Sequence, residues 1–219
     1  MPVLNEAKTL PVILNKVLDV ALEKEIIIVD DGSTDDTHNI LKNYSNHEGI
    51  SIIRHPSTQG KGGAVKSALK HVKGDIIIIQ DADLEYDPED YPKLIAPITA
   101  GQYDVVFGIR TGSSHSYFRY FLGGRILTVF ANILYRQHLT DLFACYKVFK
   151  TDVLNSIRIE SRGFDFDPEV TAKIFRKGIQ IGQIPISYNP RSFEEGKKIR
   201  WTDGCTAAWI LIKYRFMTI

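Results

Sequence analysis

Three short apolar runs, separated by stretches with helical periodicity, restrict the fold of this chain more than any other sequence feature. Residues 26–29 and 76–79 are unbroken runs of isoleucine and valine, and residues 50–53 contain a single serine. The first intervening stretch has apolar residues at positions 10, 13, 14, 17, 18 and 21, the spacing of an amphipathic helix. Continuous apolar strands are buried on both faces, as in parallel sheets that carry helices on each side. The sequence therefore predicts an α/β fold with a mostly parallel central sheet flanked by helices.

Acidic residues follow two of these runs at positions where parallel sheets bind ligands. Asp30 and Asp31 end the first run, and Asp81 and Asp83 end the third. Ligands of open α/β sheets lie at the carboxyl ends of the strands. Side chains two apart in a strand point the same way, so Asp81 and Asp83 can converge on one hard cation such as Mg²⁺. An acidic turn is the alternative interpretation of this pair.

Two further segments have both a functional and a structural interpretation. Residues 60–63 read Gly-Lys-Gly-Gly before a helical stretch, which lets a backbone approach a ligand at a helix start. The spacing matches neither the phosphate loop nor the dinucleotide fingerprint, so an ordinary strand-to-helix loop is an equal alternative. Asp30 and Asp31 either accept hydrogen bonds from a nucleoside or simply precede a helix capped at Ser33.

Composition argues against several classes of protein. The chain has 27 basic and 26 acidic residues, whereas nucleic-acid binders usually carry a strong basic excess. Cys145 and Cys205 lack metal-ligand spacing, which favours free thiols in a reducing compartment. No signal peptide is visible, and the apolar segment at residues 126–135 has about half of the ~20 residues that a membrane span needs. We therefore expect a soluble or peripheral protein that binds no nucleic acid.

The order and spacing of five segments resemble the family 2 glycosyltransferases, which have the GT-A fold. These segments start at residues 2, 29, 60, 81 and 106 and read PVLNE, VDDGSTD, GKGGA, DAD and VFGIR. Three later segments, TDLFACYKVF from residue 140, FDPE from residue 166 and RSFEEGKKI from residue 191, look most like one branch of that family. This branch contains the dolichyl-phosphate mannose and glucose synthases and their bacterial polyprenyl-phosphate relatives. The resemblance covers nearly the whole chain.

The resemblance implies an inverting, metal-dependent transfer of a sugar from a GDP- or UDP-sugar to a polyprenyl phosphate such as dolichyl or undecaprenyl phosphate. Such an acceptor needs no general base, because a phosphate monoester has a second pKa of ~6 and is mostly ionised near neutrality. This fits the scattered positions of the six histidines. Three alternatives remain open: a family 2 enzyme with a saccharide or other hydroxyl acceptor, a nucleotidyltransferase, and an inactive domain that binds sugar nucleotides.

The resemblance also implies roles for individual residues. Asp81 and Asp83 would hold Mg²⁺ or Mn²⁺ on the donor diphosphate. The expected donor-binding residues are Pro2, Leu4, Asn5, Glu6, Asp30, Asp31, Gly60, Lys61, Gly62, Asp81 and Ala82. The expected catalytic residues are Asp83, Arg110, Glu169, Arg191 and Lys197. Arg110 would approach the phosphates, and Arg191 and Lys197 would lie on a loop over the diphosphate.

Glu169 has two interpretations that the sequence leaves open. With a hydroxyl acceptor, Glu169, Asp165 or Asp167 would be the candidate general base. A first-turn acid is also favoured by the helix dipole, so a structural role for Glu169 is equally supported.

We expect one domain, residues 1–219, with a nucleotide-binding half at 1–112 and an acceptor-binding half at 113–219. In the second half, residues 143–149 and 179–186 are predicted strands and residues 168–177 a predicted helix. Family members have a full strand before the PVLNE segment, where this sequence has Met1 alone, so the first strand is expected to be truncated.

The second half also carries the expected contacts with a membrane. Residues 117–137 combine large apolar side chains with arginines, which fits an interfacial helix as well as core packing. With residues 206–216, this segment predicts a cytoplasmic protein that is peripheral at the inner membrane face. An integral-membrane subunit is a further expected partner.

Overall fold

The computed structural model of the chain describes residues 1–111, 118–191 and 201–217. Within these ranges it contains seven strands, eight α-helices and one short 3₁₀ helix at Pro88–Asp90. The strands are β1 (Pro2–Val3), β2 (Ile26–Asp30), β3 (Ile50–Arg54), β4 (Ile76–Ile78), β5 (Val105–Arg110), β6 (Lys147–Lys150) and β7 (Ile181–Ile186). The helices are α1 (Leu10–Asp19), α2 (Thr37–Lys42), α3 (Lys61–Leu69), α4 (Tyr91–Thr99), α5 (Phe118–Tyr135), α6 (Thr151–Asn155), α7 (Phe166–Arg176) and α8 (Trp201–Phe216).

The described strands form two sheets, and the predicted α/β class with a mostly parallel sheet is confirmed. The first sheet has the order β1-β2-β3 and is parallel throughout. The second has the order β4-β6-β5-β7, in which β5 and β7 are parallel. Strand β6 runs antiparallel to both β4 and β5. An apolar run indicates burial on both faces but carries no information about direction, so the sequence did not predict this reversal.

Helix α1 and strand β2 show how the apolar pattern becomes packing in the first half. All five residues of β2 are buried, and four residues of α1 at helical spacing are buried with them: Leu10, Ile13, Leu14 and Val17. Pro11 lies in the first turn of α1, where its missing N–H costs no intrahelical hydrogen bond. Each fully buried aliphatic side chain contributes about 1.5–3 kcal/mol, so this one stripe is sufficient to fix α1 against the sheet.

Strand β1 is short, as expected, and comprises only Pro2 and Val3. Its register pairs Pro2 with Val29 and Val3 with Asp30, which brings the start of the following loop beside the acidic end of β2. The strand expected at residues 143–149 begins only at Lys147, and the loop that precedes it carries Asp141, which pairs with Arg110.

In the second half, α7 is enclosed by its neighbours. Ten consecutive residues of α7, from Phe166 to Phe175, are buried, and the helix contacts both α5 and α8. Tyr135 of α5 donates a hydrogen bond to the Leu211 carbonyl of α8 at 2.7 Å. No helix in the described ranges has both the length and the apolar character needed to cross a bilayer.

Candidate active site

The loops that follow β1 and β2 are joined by hydrogen bonds between side chains and backbone. Asn5 has a positive φ of 56°, and its side-chain oxygen accepts a hydrogen bond from Thr34 N at 2.8 Å. Its backbone N–H donates to Ser33 Oγ at 3.0 Å, and Glu6 N donates to Thr37 Oγ1 at 3.0 Å. The two motifs PVLNE and VDDGSTD therefore form one rigid unit at the carboxyl ends of β1 and β2.

Asp31 holds the glycine-rich loop against this unit. Its carboxylate accepts hydrogen bonds from Gln59 N at 2.9 Å and Gly60 N at 2.7 Å. The His55 ring nitrogen Nδ1 lies 2.7 Å from the same carboxylate. Asp31 is buried, as is its neighbour Asp30, whose Oδ2 atom lies 3.5 Å from a His38 ring nitrogen. Most of the hydrogen-bonding capacity of Asp31 is used inside the protein.

The glycines at 60 and 62 are explained by a close approach of two backbone segments. Gly60 has a φ of 83°, and a Cβ on it would collide with the carbonyl oxygen of Arg162. A Cβ on Gly62 would lie 2.6 Å from the carbonyl oxygen of Ser161. This packing supports the structural alternative for both glycines. Their predicted contact with the donor stays a prediction.

Lys61 lies between two carboxylates and connects the glycine-rich loop to the acidic motif after β4. Its ammonium is 3.2 Å from Asp81 Oδ2 and 3.8 Å from Asp167 Oδ2. Burial lowers the pKa of Lys61, but the charges of Asp167 and Asp81 outweigh burial and raise this pKa well above its usual value. Burial likewise raises the pKa of Asp81, but the Lys61 charge outweighs it and holds this pKa below its usual range. Asp81 is therefore ionised at neutral pH.

Three carboxylates from two distant segments surround the guanidinium of Arg191. Its nitrogen atoms lie 3.0 Å from Glu6 Oε1 and 3.0 Å from Asp83 Oδ2. Glu85 Oε1 lies 4.0 Å from the guanidinium Nε and also accepts a hydrogen bond from the backbone N–H of Arg191 at 3.0 Å. Burial, with the negative charges of Asp81 and Glu85, raises the pKa of Asp83 to about 7. Four acidic residues, Glu6, Asp81, Asp83 and Glu85, therefore lie in the region that binds the Arg191 guanidinium.

The donor atoms of this region fit a divalent cation of the Mg²⁺ type. Mg²⁺ takes oxygen ligands, commonly one or two carboxylates, and completes its shell with water and substrate phosphates. Asp81 and Asp83 supply two carboxylates close enough for one charge to raise the pKa of the other. Within the described ranges, no three His, Cys, Asp or Glu side chains form a closed metal-binding group. A cation here would therefore complete its shell with water or with diphosphate oxygens.

The raised pKa of Asp83 gives a prediction about pH. Cation binding needs the ionised carboxylate, which with a pKa of about 7 is present in about a tenth of molecules at pH 6 and nine tenths at pH 8. We expect Mn²⁺ to raise the melting temperature more at pH 8 than at pH 6. Without metal, stability changes with pH in the opposite direction. The folded-state pKa of Asp83 lies above its unfolded value of 3.8, so its contribution to the free energy of unfolding falls as the pH rises from about 4 to about 7.

Thermal melts with and without Mn²⁺ at both pH values measure this effect. Asp83→Ala is the control and should lose the Mn²⁺-dependent increase at both. An equal Mn²⁺ effect on the unmodified chain at pH 6 and pH 8 would contradict the prediction.

Arg110 is held by a partner that the sequence did not identify as a site residue. Its Nε and NH2 atoms lie 2.7 and 2.8 Å from the two carboxylate oxygens of Asp141, and its guanidinium stacks over the ring of Tyr188. Burial raises the pKa of Asp141, but the hydrogen bond and charge of Arg110 lower it below its usual value. Asp141 lies in the TDLFACYKVF segment, whose single acidic residue was the available signal.

This bidentate pair gives a second prediction. Arg110→Lys keeps the charge but loses the two-pronged geometry, so we expect kcat/KM to fall by about 10–100-fold. Asp141→Asn should cause a similar decrease in kcat/KM. In the double variant, the fold decrease in kcat/KM should be smaller than the product of the two single-variant decreases. Lys150→Gln, which removes an exposed ion pair 2.6 Å long with Asp104, is the matched control and should keep its activity. Independent, multiplicative effects at positions 110 and 141 would contradict the prediction.

Glu169 has its hydrogen-bonding capacity filled by partners inside the protein. It is fully buried and accepts hydrogen bonds from the backbone N–H groups of Glu160 and Ser161, at 2.8 and 2.7 Å. Lys173 Nζ and Tyr214 Oη also donate to it, at 2.5 and 3.1 Å. These contacts favour its structural alternative.

The remaining predicted residues are distributed as follows. Pro2 pairs with β2, Leu4 and Ala82 follow β1 and β4 respectively, and Ala82 is buried. Lys197 lies outside the described residues.

Comparison with known families identifies the class of protein that this fold and site define. The family model described as glycosyl transferase family 2 matches residues 1–158. The chain therefore belongs to glycosyltransferase family 2, which confirms the resemblance found in the sequence.

Two similar proteins of known function can be compared with this chain individually. The chain is 30% identical over 204 residues to the low-salt glycan biosynthesis hexosyltransferase Agl6 of Haloferax volcanii, covering 89% of this chain and 48% of Agl6. It is 26% identical over 208 residues to the undecaprenyl-phosphate mannosyltransferase of Micrococcus luteus, covering 90% and 85% of the two chains. The chain thus spans about half the length of Agl6. The second relative belongs to the polyprenyl-phosphate branch that the sequence indicated.

Solved structures confirm the GT-A fold. Glucosyl-3-phosphoglycerate synthase from Mycobacterium tuberculosis, in complex with Mg²⁺ and uridine diphosphate, matches with a TM-score of 0.77 at 20% identity. The match covers 100% of this chain and 78% of that chain. The complex of the same enzyme with Mn²⁺, UDP-glucose and phosphoglyceric acid matches with a TM-score of 0.75 at 20% identity, covering 100% and 79%. At this identity the likeness shows the fold alone.

Proposed function

We propose that this chain is an inverting glycosyltransferase that transfers a sugar from a nucleotide-sugar donor to a polyprenyl phosphate with the help of Mg²⁺ or Mn²⁺. The observation that carries the proposal is the convergence of Glu6, Asp83 and Glu85 on one cationic group, with the ionised Asp81 beside them. This cluster lies next to the joined loops after β1 and β2, where the donor nucleoside would bind. The relative named for undecaprenyl phosphate supports the choice of acceptor.

The chain's own side chains account for the proposed chemistry. A bound divalent cation would act as a Lewis acid that stabilises the departing nucleoside diphosphate, held by Asp81 and Asp83. The pair of Arg110 and Asp141 fixes a guanidinium for an anionic group. Arg191 lies beside Asp83, where its guanidinium could pair with the phosphate oxygens of the donor. The acceptor phosphate is already ionised, so its oxygen attacks the anomeric carbon without a general base.

The state of the candidate bases favours a phosphate acceptor over a hydroxyl acceptor. Glu169 is saturated, and Asp167 is 2.7 Å from Lys147. Asp165 Oδ1 accepts a hydrogen bond from Gly163 N at 2.8 Å. Each acidic residue that the sequence offered as a base is therefore engaged by the protein. A hydroxyl acceptor, which needs a base, is the weaker candidate.

A membrane surface is the proposed location of the acceptor. Helix α5 exposes Leu122, Ile126, Val129 and Ile133 at spacings of three and four residues, and its neighbour α8 exposes Trp209, Ile212 and Phe216 in the same way. We call these seven residues the apolar face. They lie on two packed helices of the acceptor-binding half, which also carry the exposed cations Arg125 and Arg215. Apolar side chains with flanking cations are typical of helices that lie in an anionic membrane interface.

A donor and acceptor screen tests the proposed function. The chain is incubated with Mn²⁺ and each of several UDP- and GDP-sugars, with polyprenyl phosphate or with a free sugar, and nucleoside diphosphate release is measured. We expect release from one donor class that rises with polyprenyl phosphate only. Stimulation by the free sugar alone would favour a hydroxyl acceptor, and release of pyrophosphate would indicate a nucleotidyltransferase.

A further inference from the structure

Four charged side chains of alternating sign form a row from the interior of the second half to the acidic motif after β4. Lys147 Nζ lies 2.7 Å from Asp167 Oδ1, and the other oxygen of Asp167 lies 3.8 Å from Lys61 Nζ. Lys61 Nζ in turn lies 3.2 Å from Asp81 Oδ2. The row joins β6, α7, α3 and the segment after β4. It carries two positive and two negative charges and is therefore neutral.

The inner end of this row is fixed, whereas its outer end is accessible. Lys147 is fully buried, and it also donates to the carbonyl oxygens of Leu142 and Ala144, at 3.1 and 2.6 Å. The exposed fraction of the side chain rises from 0% at Lys147 through 8% at Asp167 and 13% at Lys61 to 24% at Asp81. Asp167 therefore lies between the fixed ammonium of Lys147 and the ammonium of Lys61, which in turn donates a hydrogen bond to Asp81.

We propose that Asp167, backed by Lys147, is a positioning residue for the metal-binding carboxylate of Asp81, and that it acts by sharing the Lys61 ammonium. This inference rests on the proposed function, in which Asp81 helps to hold a divalent cation. With Asp167 present, two carboxylates share the charge of Lys61. Without it, Asp81 is the remaining carboxylate paired with Lys61 among the described residues, and the ammonium opposes a cation at that carboxylate.

With a phosphate acceptor Asp167 has no role as a general base, and this proposal gives it a different one. A general base is not required for that acceptor, and Asp167 is held by two ammonium groups rather than exposed to substrate. The role also connects the two halves of the chain, because Lys147 and Asp167 belong to the second half and Lys61 and Asp81 to the first.

Mn²⁺ affinity without donor, measured from the electron paramagnetic resonance signal of free Mn²⁺, tests the proposal together with melting temperature. We expect Asp167→Asn to weaken Mn²⁺ binding by about tenfold, because the partly screened Lys61 charge then acts on Asp81 alone. It should also lower the melting temperature, because Lys147 is left as a buried unpaired charge. Asp165→Asn removes one charge two residues away and keeps an oxygen for Gly163 N, so it should retain the affinity.

Two double variants separate positioning from simple structural support. Lys147→Met with Asp167→Asn removes both buried charges, so we expect recovery of the melting temperature but not of Mn²⁺ affinity. Lys61→Met with Asp167→Asn removes the opposing ammonium, so Mn²⁺ affinity should recover. Joint recovery of stability and affinity in the first double variant would overturn the proposal, as would unchanged affinity in a folded Asp167→Asn.

Lys61→Met alone keeps the proposal testable if the Asp167 variants do not fold. We expect this variant to bind Mn²⁺ more tightly than the unmodified chain, and equal or weaker binding would overturn the proposal. Absence of Mn²⁺ binding by the unmodified chain, both alone and with UDP or GDP present, would refute the metal role in the proposed function itself, and this inference with it. The two failures are thus distinguishable.

Discussion

Replacing Asp83 by alanine is expected to reduce turnover of the nucleotide-sugar donor by at least about 10³-fold, the largest effect of any single substitution that we predict. Groups that stabilise developing charge in a transition state contribute about 10²–10³-fold each, and loss of a metal ligand removes the Lewis acid as well. The Asp83 side chain is close to three other acidic residues, and Arg191 contacts it at 3.0 Å. The measurement is nucleoside diphosphate release with saturating Mn²⁺.

Two controls separate this effect from general damage to the fold. Glu89→Ala removes an exposed carboxylate six residues further along the chain and should leave turnover unchanged. The melting temperature of Asp83→Ala without metal should equal or exceed that of the unmodified chain, because burial already disfavours the ionised form of Asp83. Unimpaired turnover in a folded Asp83→Ala would refute the metal role of this residue.

Placing carboxylates in the apolar face is expected to abolish binding to membranes. Ile126 and Ile133 are 60% and 74% exposed, so glutamates at both positions meet no packed core in the protein. Each apolar side chain that a bilayer interface buries contributes about 1.5–3 kcal/mol, so the double variant should bind vesicles at least about a hundredfold more weakly. Flotation with vesicles that contain an anionic phospholipid measures this binding.

The matched control for the apolar face is Val12→Glu. Val12 is an apolar residue of α1 with 47% exposure, so this variant adds a carboxylate at a comparable surface position outside the apolar face. We expect it to float with the vesicles as the unmodified chain does. The variant at positions 126 and 133 should keep its activity on a short, soluble prenyl phosphate while losing activity on a membrane-embedded acceptor. Failure of the unmodified chain to float would rule out the proposed location.

Local patterns in the sequence were enough to predict most of the architecture. The buried stripe of α1 and the wholly buried strand β2 follow directly from the spacing of apolar residues. The motifs after β1, β2 and β4 were recognisable because their order and spacing resemble those of the family. Strand direction was not predictable for β6, since burial on both faces looks the same in parallel and antiparallel strands.

The reason for two glycines of the site could not be predicted from the sequence motif. From the sequence, Gly60 and Gly62 had two interpretations, contact with a ligand and an ordinary loop. The structure supports the structural one and supplies its cause, because the chain at residues 161–163 passes so close that any Cβ would collide with it. This neighbour lies about a hundred residues away along the chain, and therefore no local pattern could have indicated it.

The sequence by itself determined the α/β class, the family and the acidic residues at the ends of the strands, because burial periodicity and motif spacing are written in neighbouring residues. Only the tertiary structure decided what each charged side chain contacts. The partners are separated by 20 residues for Lys61 and Asp81, 31 for Arg110 and Asp141, and 185 for Glu6 and Arg191. A buried charge takes its pKa and its chemical role from such partners, which become neighbours only when the chain folds.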